Sequence, residues 1–165
     1  MKKTLVATLT VAILLSTPFG MEKAEAATTQ KLDEKSKIAL AYFTKDIGTY
    51  SFTRKEVVTG RYVLRFPGGT SVRYKKTFDV FNLEKIDGAP KNMHFYSTKI
   101  PKGNFATIIG VSDSTIVIGG TQSLIDYKTL VKGGKKYSMK YYLKYQSSKD
   151  FKTIVNKMRI VSSPY

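Results

Sequence analysis

The sequence predicts an α+β domain: an antiparallel sheet of about five or six strands bracketed by an N-terminal helix and a C-terminal helix. Three observations carry this expectation. Residues 31–46 place apolar side chains at helical spacing, residues 60–120 break into β-rich runs separated by glycine and proline, and residues 151–158 return to helical spacing. Strands gathered between helices, not alternating with them, argue against a doubly wound parallel sheet.

Leu32, Ala39, Leu40, Phe43 and Ile47 stand at offsets 0, 7, 8, 11 and 15, one face of a helix over about residues 31 to 46. Asp33 and Glu34 lie in its first turns, where the dipole favours anions, and Gly48 follows its last periodic residue. Such a helix should dock its stripe on a sheet. "GRYVLRF", "PGGT" and "SVRYKKTFDVFNLEKI" come next, two β-rich runs around a proline and two glycines that read as a hairpin. In the second run Val72, Tyr74, Phe78 and Val80 alternate with Arg73, Lys75, Thr77 and Asp79, and the Lys75-Lys76 doublet interrupts the pattern as a bulge would. "DGAPKNMHFYSTKIPKGN" is connection, with a short strand at "MHFYS".

"FATIIGV", "SDS" and "TIVIGG" form the clearest hairpin, with Asp113 suited to its turn. Ile108, Ile109, Val111, Ile116, Val117 and Ile118 are too continuously apolar for a half-wet sheet, which predicts central strands buried on both faces. "TQSLIDYKTLV" reads either as a short helix capped by Thr121 or as a loop with a strand, ended by "KGG". In "KKYSMKYYLKY" (residues 135–145), a strand would put Tyr137, Met139, Tyr141, Leu143 and Tyr145 on one face. Lys136, Ser138, Lys140 and Lys144 would then take the other, leaving only Tyr142 out of phase, a better fit than a helix. Ser147 or Ser148 then caps a closing helix carrying Phe151, Ile154, Val155 and Met158.

The first 26 residues are set apart from this fold. Lys2 and Lys3, an apolar run from Leu5 to Phe19 and the small residues of Ala24-Glu25-Ala26 are expected to be a secretory signal peptide. The run contains Thr8, Thr10, Ser16 and Pro18 and is short for a membrane span, which needs about 20 apolar residues. Residues 27–165 are then one secreted domain of 165 − 26 = 139 residues. Its net charge is (28 − 3) − (12 − 2) = +15, counting the histidine as neutral. The chain has no cysteine, hence no disulfide and no lipid-anchor site. Extracellular localisation, with at most a loose hold on the cell surface, is the expectation.

No catalytic pattern accompanies this framework. The single histidine, His94, and the lack of cysteine disfavour a transition-metal site, and no nucleophile elbow, Walker loop or dinucleotide fingerprint occurs. His94 reads as a partly exposed side chain at a strand edge. The sequence therefore implies no enzyme, no metal and no cofactor. What remains is charge. Arg61, Arg65, Arg73, Lys75 and Lys76 would share the first hairpin, and Lys136, Lys140 and Lys144 would line one strand face beside Tyr142, a candidate polyanion site. Gly119, Gly120 and Thr121, at a strand exit, are a candidate anion nest. Against this stands the simpler account that lysine enrichment only provides solubility.

The segments "KIALAYFTKDI", "KGNFATIIGV" and "IVIGGTQ", with the leader ending in "AEA" and the richness in lysine and tyrosine, are similar to small secreted proteins of Gram-positive bacteria such as staphylococci. The resemblance brings no functional residues. It implies a protein that acts on host proteins or stays on the envelope. Charge and resemblance together predict a noncatalytic secreted basic protein that binds an anionic partner: cell-envelope polymer, glycosaminoglycan, nucleic acid or acidic host protein. The alternatives are a secreted inhibitor or immune modulator that binds one host protein, and an enzyme of unadvertised mechanism.

Overall fold

The computed structural model describes residues 31–66, 68–98 and 105–162, and of residues 65 and 66 the backbone alone. The leader expected at residues 1–26 lies outside the described residues. No helix among the described residues is long and apolar enough to cross a membrane.

Helix α1 (Glu34–Ala41) starts where Asp33 accepts the Ser36 N–H at 2.7 Å. It is shorter than the predicted span. The chain turns at Tyr42, where Thr44 Oγ1 donates to Ala41 O, and resumes as the four-residue helix α2 (Ile47–Tyr50). Gly48 thus lies inside α2 and not past a helix end. The predicted stripe is still used: Ala39, Leu40 and Ile47 are buried, with Leu32 and Phe43 packed against them. Yet Lys37 through Ala41 are buried without a break, so the end of α1 is enclosed all round.

Helix α3 (Arg54–Thr59) has too few apolar residues to show a period, and its start is set by hydrogen bonds. Thr53 Oγ1 accepts the Glu56 N–H at 3.2 Å while Glu56 Oε2 accepts the Thr53 N–H at 2.8 Å, a complete capping box. Gly60, at φ 72°, ends the helix in the left-handed conformation, and a Cβ there would stand 2.4 Å from the Lys75 carbonyl. Lys157 Nζ donates to the last-turn carbonyls of Val57 and Val58.

The first hairpin forms as predicted from β1 (Arg61–Phe66) and β2 (Gly69–Tyr74), but as a separate two-stranded ribbon. The Lys75-Lys76 doublet is not a bulge. It is where the chain leaves the ribbon for β3 (Phe78–Leu83) of a second, six-stranded sheet. That sheet continues with β4 (His94–Thr98), β5 (Ala106–Val111), β6 (Thr115–Thr121) and β7 (Lys135–Ser138), each antiparallel to the strand before it. Helix α4 (Tyr127–Gly133) joins β6 to β7. It is capped by Asp126, which accepts the Thr129 N–H at 2.6 Å, and not by Thr121, the last residue of β6.

After β7 the expected long strand gives way to two 3₁₀ turns, Met139–Tyr141 and Leu143–Tyr145. Helix α5 (Lys149–Lys157) begins at Ser148, which accepts the Phe151 N–H. One strand is additional. β8 (Met158–Val161) follows α5 and lies parallel to β3, giving the sheet order β7-β6-β5-β4-β3-β8. The α+β class holds, with one parallel pair in an otherwise antiparallel sheet.

Both faces of the sheet are covered. Val80, Tyr96, Ile109, Val111, Ile116 and Ile118 meet α1, α3 and α5 on one side, while Phe95, Ile108 and Val117 meet Leu130 of α4 and Met93 on the other. Glycines make room for this second layer: a Cβ on Gly110 would lie 2.8 Å from the Phe95 ring, and one on Gly119 would lie 2.6 Å from Leu130. Ile116 is fully buried and β6 is interior to the sheet. Ile116→Ala should therefore lower unfolding free energy by about 2–5 kcal/mol in denaturant titration, and a change below 1 kcal/mol would remove this strand from the core.

Candidate anion-binding surface

The structure divides the lysine row expected along one strand. Lys136 lies on β7 opposite Val117 and shares that residue's face, whereas Tyr137 lies opposite Ile116 on the helical face. Lys140 and Lys144 follow on the two 3₁₀ turns, whose Met139, Tyr142 and Leu143 pack into the core on the helical side. All three lysines are exposed, Lys136 on β7, the last strand of the sheet among the described residues, and Lys140 and Lys144 on the turns that follow it, so they do not line one strand face.

The tyrosines form the support. Tyr137 donates its hydroxyl to Asp46 Oδ2 and meets Tyr142 edge-on at 5.8 Å. Tyr142 leans on Tyr145 at 6.4 Å, and Tyr145 stacks on Phe43 at 4.6 Å. The Arg54 guanidinium then sits 4.8 Å above Phe43 while also pairing with Asp150 at 3.4 Å. Burial, then hydrogen bonding to Asp46, pushes the Tyr137 hydroxyl well above the ordinary tyrosine range, and burial raises that of Tyr142. Packed in this way, the rings hold the turns in place.

Tyr142 is therefore part of the framework and does not stand beside the lysines. The accessible ring is Tyr141, 64 % exposed, with Lys140 Nζ 5.1 Å from its centroid; Lys144 Nζ stands 5.2 Å from the Tyr145 ring. Sequence alternation assigned Tyr141 to the core, and Lys135, exposed at the start of β7, was passed over although it opens the same run.

The other predicted cations are elsewhere. Arg61 and Arg73 are exposed on β1 and β2, and Lys75 and Lys76 are exposed in the connection that leaves the ribbon. Arg65 lies on β1, with its side chain outside the described residues. Gly119, Gly120 and Thr121 do not form an anion nest. All three are extended residues of β6 paired to β5, and the glycines accommodate Leu130 and Phe105. Thr121 turns its hydroxyl to the Ser123 backbone.

A second polar cluster ties α1 to the sheet. Lys37 Nζ, almost fully buried, donates to Asp113 Oδ1 at 2.8 Å and Glu34 Oε1 at 3.1 Å, and Tyr96 donates to Glu34 Oε2 at 2.8 Å. His94, at the start of β4 and exposed, has Nδ1 4.0 Å from the same Glu34 oxygen. Burial alone would lower the Lys37 pKa, but Asp113 and Glu34 overcome it and hold the ammonium above its ordinary value. Each group is satisfied by another, so the cluster acts as a latch between α1, β4 and the β5–β6 turn. Among the described residues no three His, Cys, Asp or Glu side chains are placed to hold a metal ion.

Compared with protein-family models, with curated proteins and with solved structures, the chain matches none.

The latch makes a pH prediction. The hydrogen bond and charge of Lys37 hold the Asp113 carboxyl below the ordinary aspartate value of 3.8. Its contribution to stability is present above that value and disappears as pH falls through the lowered one. Thermal melts of the protein and of Asp113→Asn should differ near neutrality and converge in acid. Parallel curves down to about pH 2 would show that Asp113 does not stabilise the fold through its charge.

Proposed function

We propose that this chain is a noncatalytic secreted basic protein that binds a phosphate- or sulfate-bearing polymer, of the cell envelope or of its surroundings, at the lysines around the β7 edge. One observation carries the reading. Residues 127–165 contain ten lysines and arginines and one acid, Asp150, which is engaged by Arg54. Lys128, Lys132, Lys135 and Lys136 are exposed on α4 and β7, and Lys140, Lys144, Lys149 and Lys152 on the turns and α5. None of these eight has a carboxylate partner among the described residues.

Unneutralised cations repel one another and attract counterions, which a bound polyanion releases. Flexible polymers can follow a curved basic surface around a sheet edge, where a rigid planar ligand cannot. The export expected from residues 1–26 sets the compartment in which such polymers are met.

Retention on immobilised heparin and on purified cell wall across a salt gradient tests this. Lys136→Gln, Lys140→Gln and Lys144→Gln together should elute earlier, flatten the dependence of log affinity on log salt by about two units and leave Tm nearly unchanged. Elution identical to the unaltered protein would make these lysines a generic surface and end the assignment. A large fall in Tm would show that they pack instead of facing solvent.

A further inference from the structure

The β1–β2 ribbon is unlike the rest of the molecule. It is hydrogen-bonded to no other strand of the described residues, and none of the six residues of β2 is buried. Two-stranded ribbons have little core of their own. This one is anchored at its base, by Tyr62 buried against Phe52 at 4.1 Å and by Lys75 N–H donating to Gly60 O at 2.9 Å.

That last bond sets the alternation along the ladder. Lys75 N–H donates to Gly60 O while the Gly60 N–H caps α3, which places Gly60 and Lys75 at a hydrogen-bonded position of the antiparallel register; Tyr62↔Arg73 and Leu64↔Ser71 are then the hydrogen-bonded pairs, and the pairs between them are not. Thr70, Val72 and Tyr74 consequently point their backbone N–H and C=O groups away from β1, along an edge that no other strand of the described residues occupies. Val72 and Tyr74, 39 % and 74 % exposed, share one face of the ribbon with Val63 and Arg61. Arg73 and Lys75 fall on the opposite face, both exposed and without a carboxylate partner among the described residues. From residue 57 to residue 78 the chain has five lysines and arginines and no acid.

We propose that the outer edge of β2 is a docking site for an extended acidic peptide segment of another protein, added as an antiparallel third strand. The charge of the ribbon chooses this occupant. A second copy would bring Arg73 and Lys75 against their own equivalents, whereas an acidic strand neutralises them. The register also dictates the pattern recognised. Residues opposite Val72 and Tyr74 should be apolar, and those between them, on the Arg73 face, should be glutamate or aspartate. This site is separate from the lysines around β7 and does not depend on their binding anything.

The probe is the blocked peptide acetyl-Glu-Val-Glu-Tyr-Glu-Val-Glu-amide, fluorescently tagged and titrated with the full chain at physiological salt. Two N-methylated versions keep charge and composition: one methylated at valine and tyrosine, whose N–H groups should face β2, the other at the glutamates. The first should bind at least about tenfold more weakly than the parent and the second about equally. Arg73→Glu should also weaken binding by about tenfold or more, while the triple glutamine variant of Lys136, Lys140 and Lys144 should leave it unchanged. Equal binding of all three peptides would overturn the proposal in favour of plain charge capture. Loss only on glutamate methylation would overturn the assigned faces. No binding at millimolar peptide, or a dimer in sedimentation that excludes the peptide, would also overturn it.

Discussion

Ile116, Val117 and Ile118 are three successive residues with no exposed surface, and a strand meets that condition only where both faces of its sheet are covered. Much of the architecture follows from this one demand. Helices α1, α3 and α5 close one side, and α4 with the chain around Met93 closes the other. Close approach of the second layer requires Gly110 and Gly119, because any side chain there would collide with the Phe95 ring or with Leu130. With the centre of the sheet sealed, charge is displaced to its margins: the β7 edge, the 3₁₀ turns and the ribbon.

Enclosing α1 has an electrostatic consequence. A helix with Ile38, Leu40 and Ala41 buried on different sides cannot keep Lys37 in water, and an unpaired ammonium at that depth would cost several kcal/mol. The fold brings Asp113 from the β5–β6 turn and Glu34 from one turn earlier in the helix to meet it, and Tyr96 supplies a donor to Glu34. The apolar demand of β6 and the polar demand of Lys37 are thus met by the same turn. Residue 113 serves local hairpin geometry and a long-range ion pair together.

What could be read in the sequence is what depends on local period. The β5–β6 hairpin, the cap and stripe of α5 and the apolar positions of α1 all declare themselves this way. Alternation says nothing about which sheet a strand joins, so β2 and β3 read as one run although they belong to different sheets. The stretch from Lys135 to Tyr145 misled for a related reason. Met139, Tyr142 and Tyr145 recur every three residues, the spacing at which a 3₁₀ segment stacks its side chains, and all three face the core. Tyr142, out of phase with a strand, was the residue that carried this signal. For the site, the residue types were legible, but their division around an edge was not, because it depends on where β7 stops.

The lysines at that edge admit two physical accounts, and position separates them. An exposed edge strand invites pairing with another chain, and charged side chains on a short strand discourage it, which suffices for Lys135 and Lys136 on the four-residue β7. It does not extend to Lys140 and Lys144, which stand on turns with no ladder to protect. Solubility would require only that such lysines be exposed, wherever they fell. Here a continuous series of rings, from Tyr137 through Tyr142 and Tyr145 to Phe43, fixes the turns that carry them, and each ammonium rests against a neighbouring tyrosine ring. Packed rings thus fix the backbone from which these lysines extend, although the ring beside Lys140, Tyr141, is itself exposed, and a fixed backbone would lower the entropy lost if a polyanion engaged the surface.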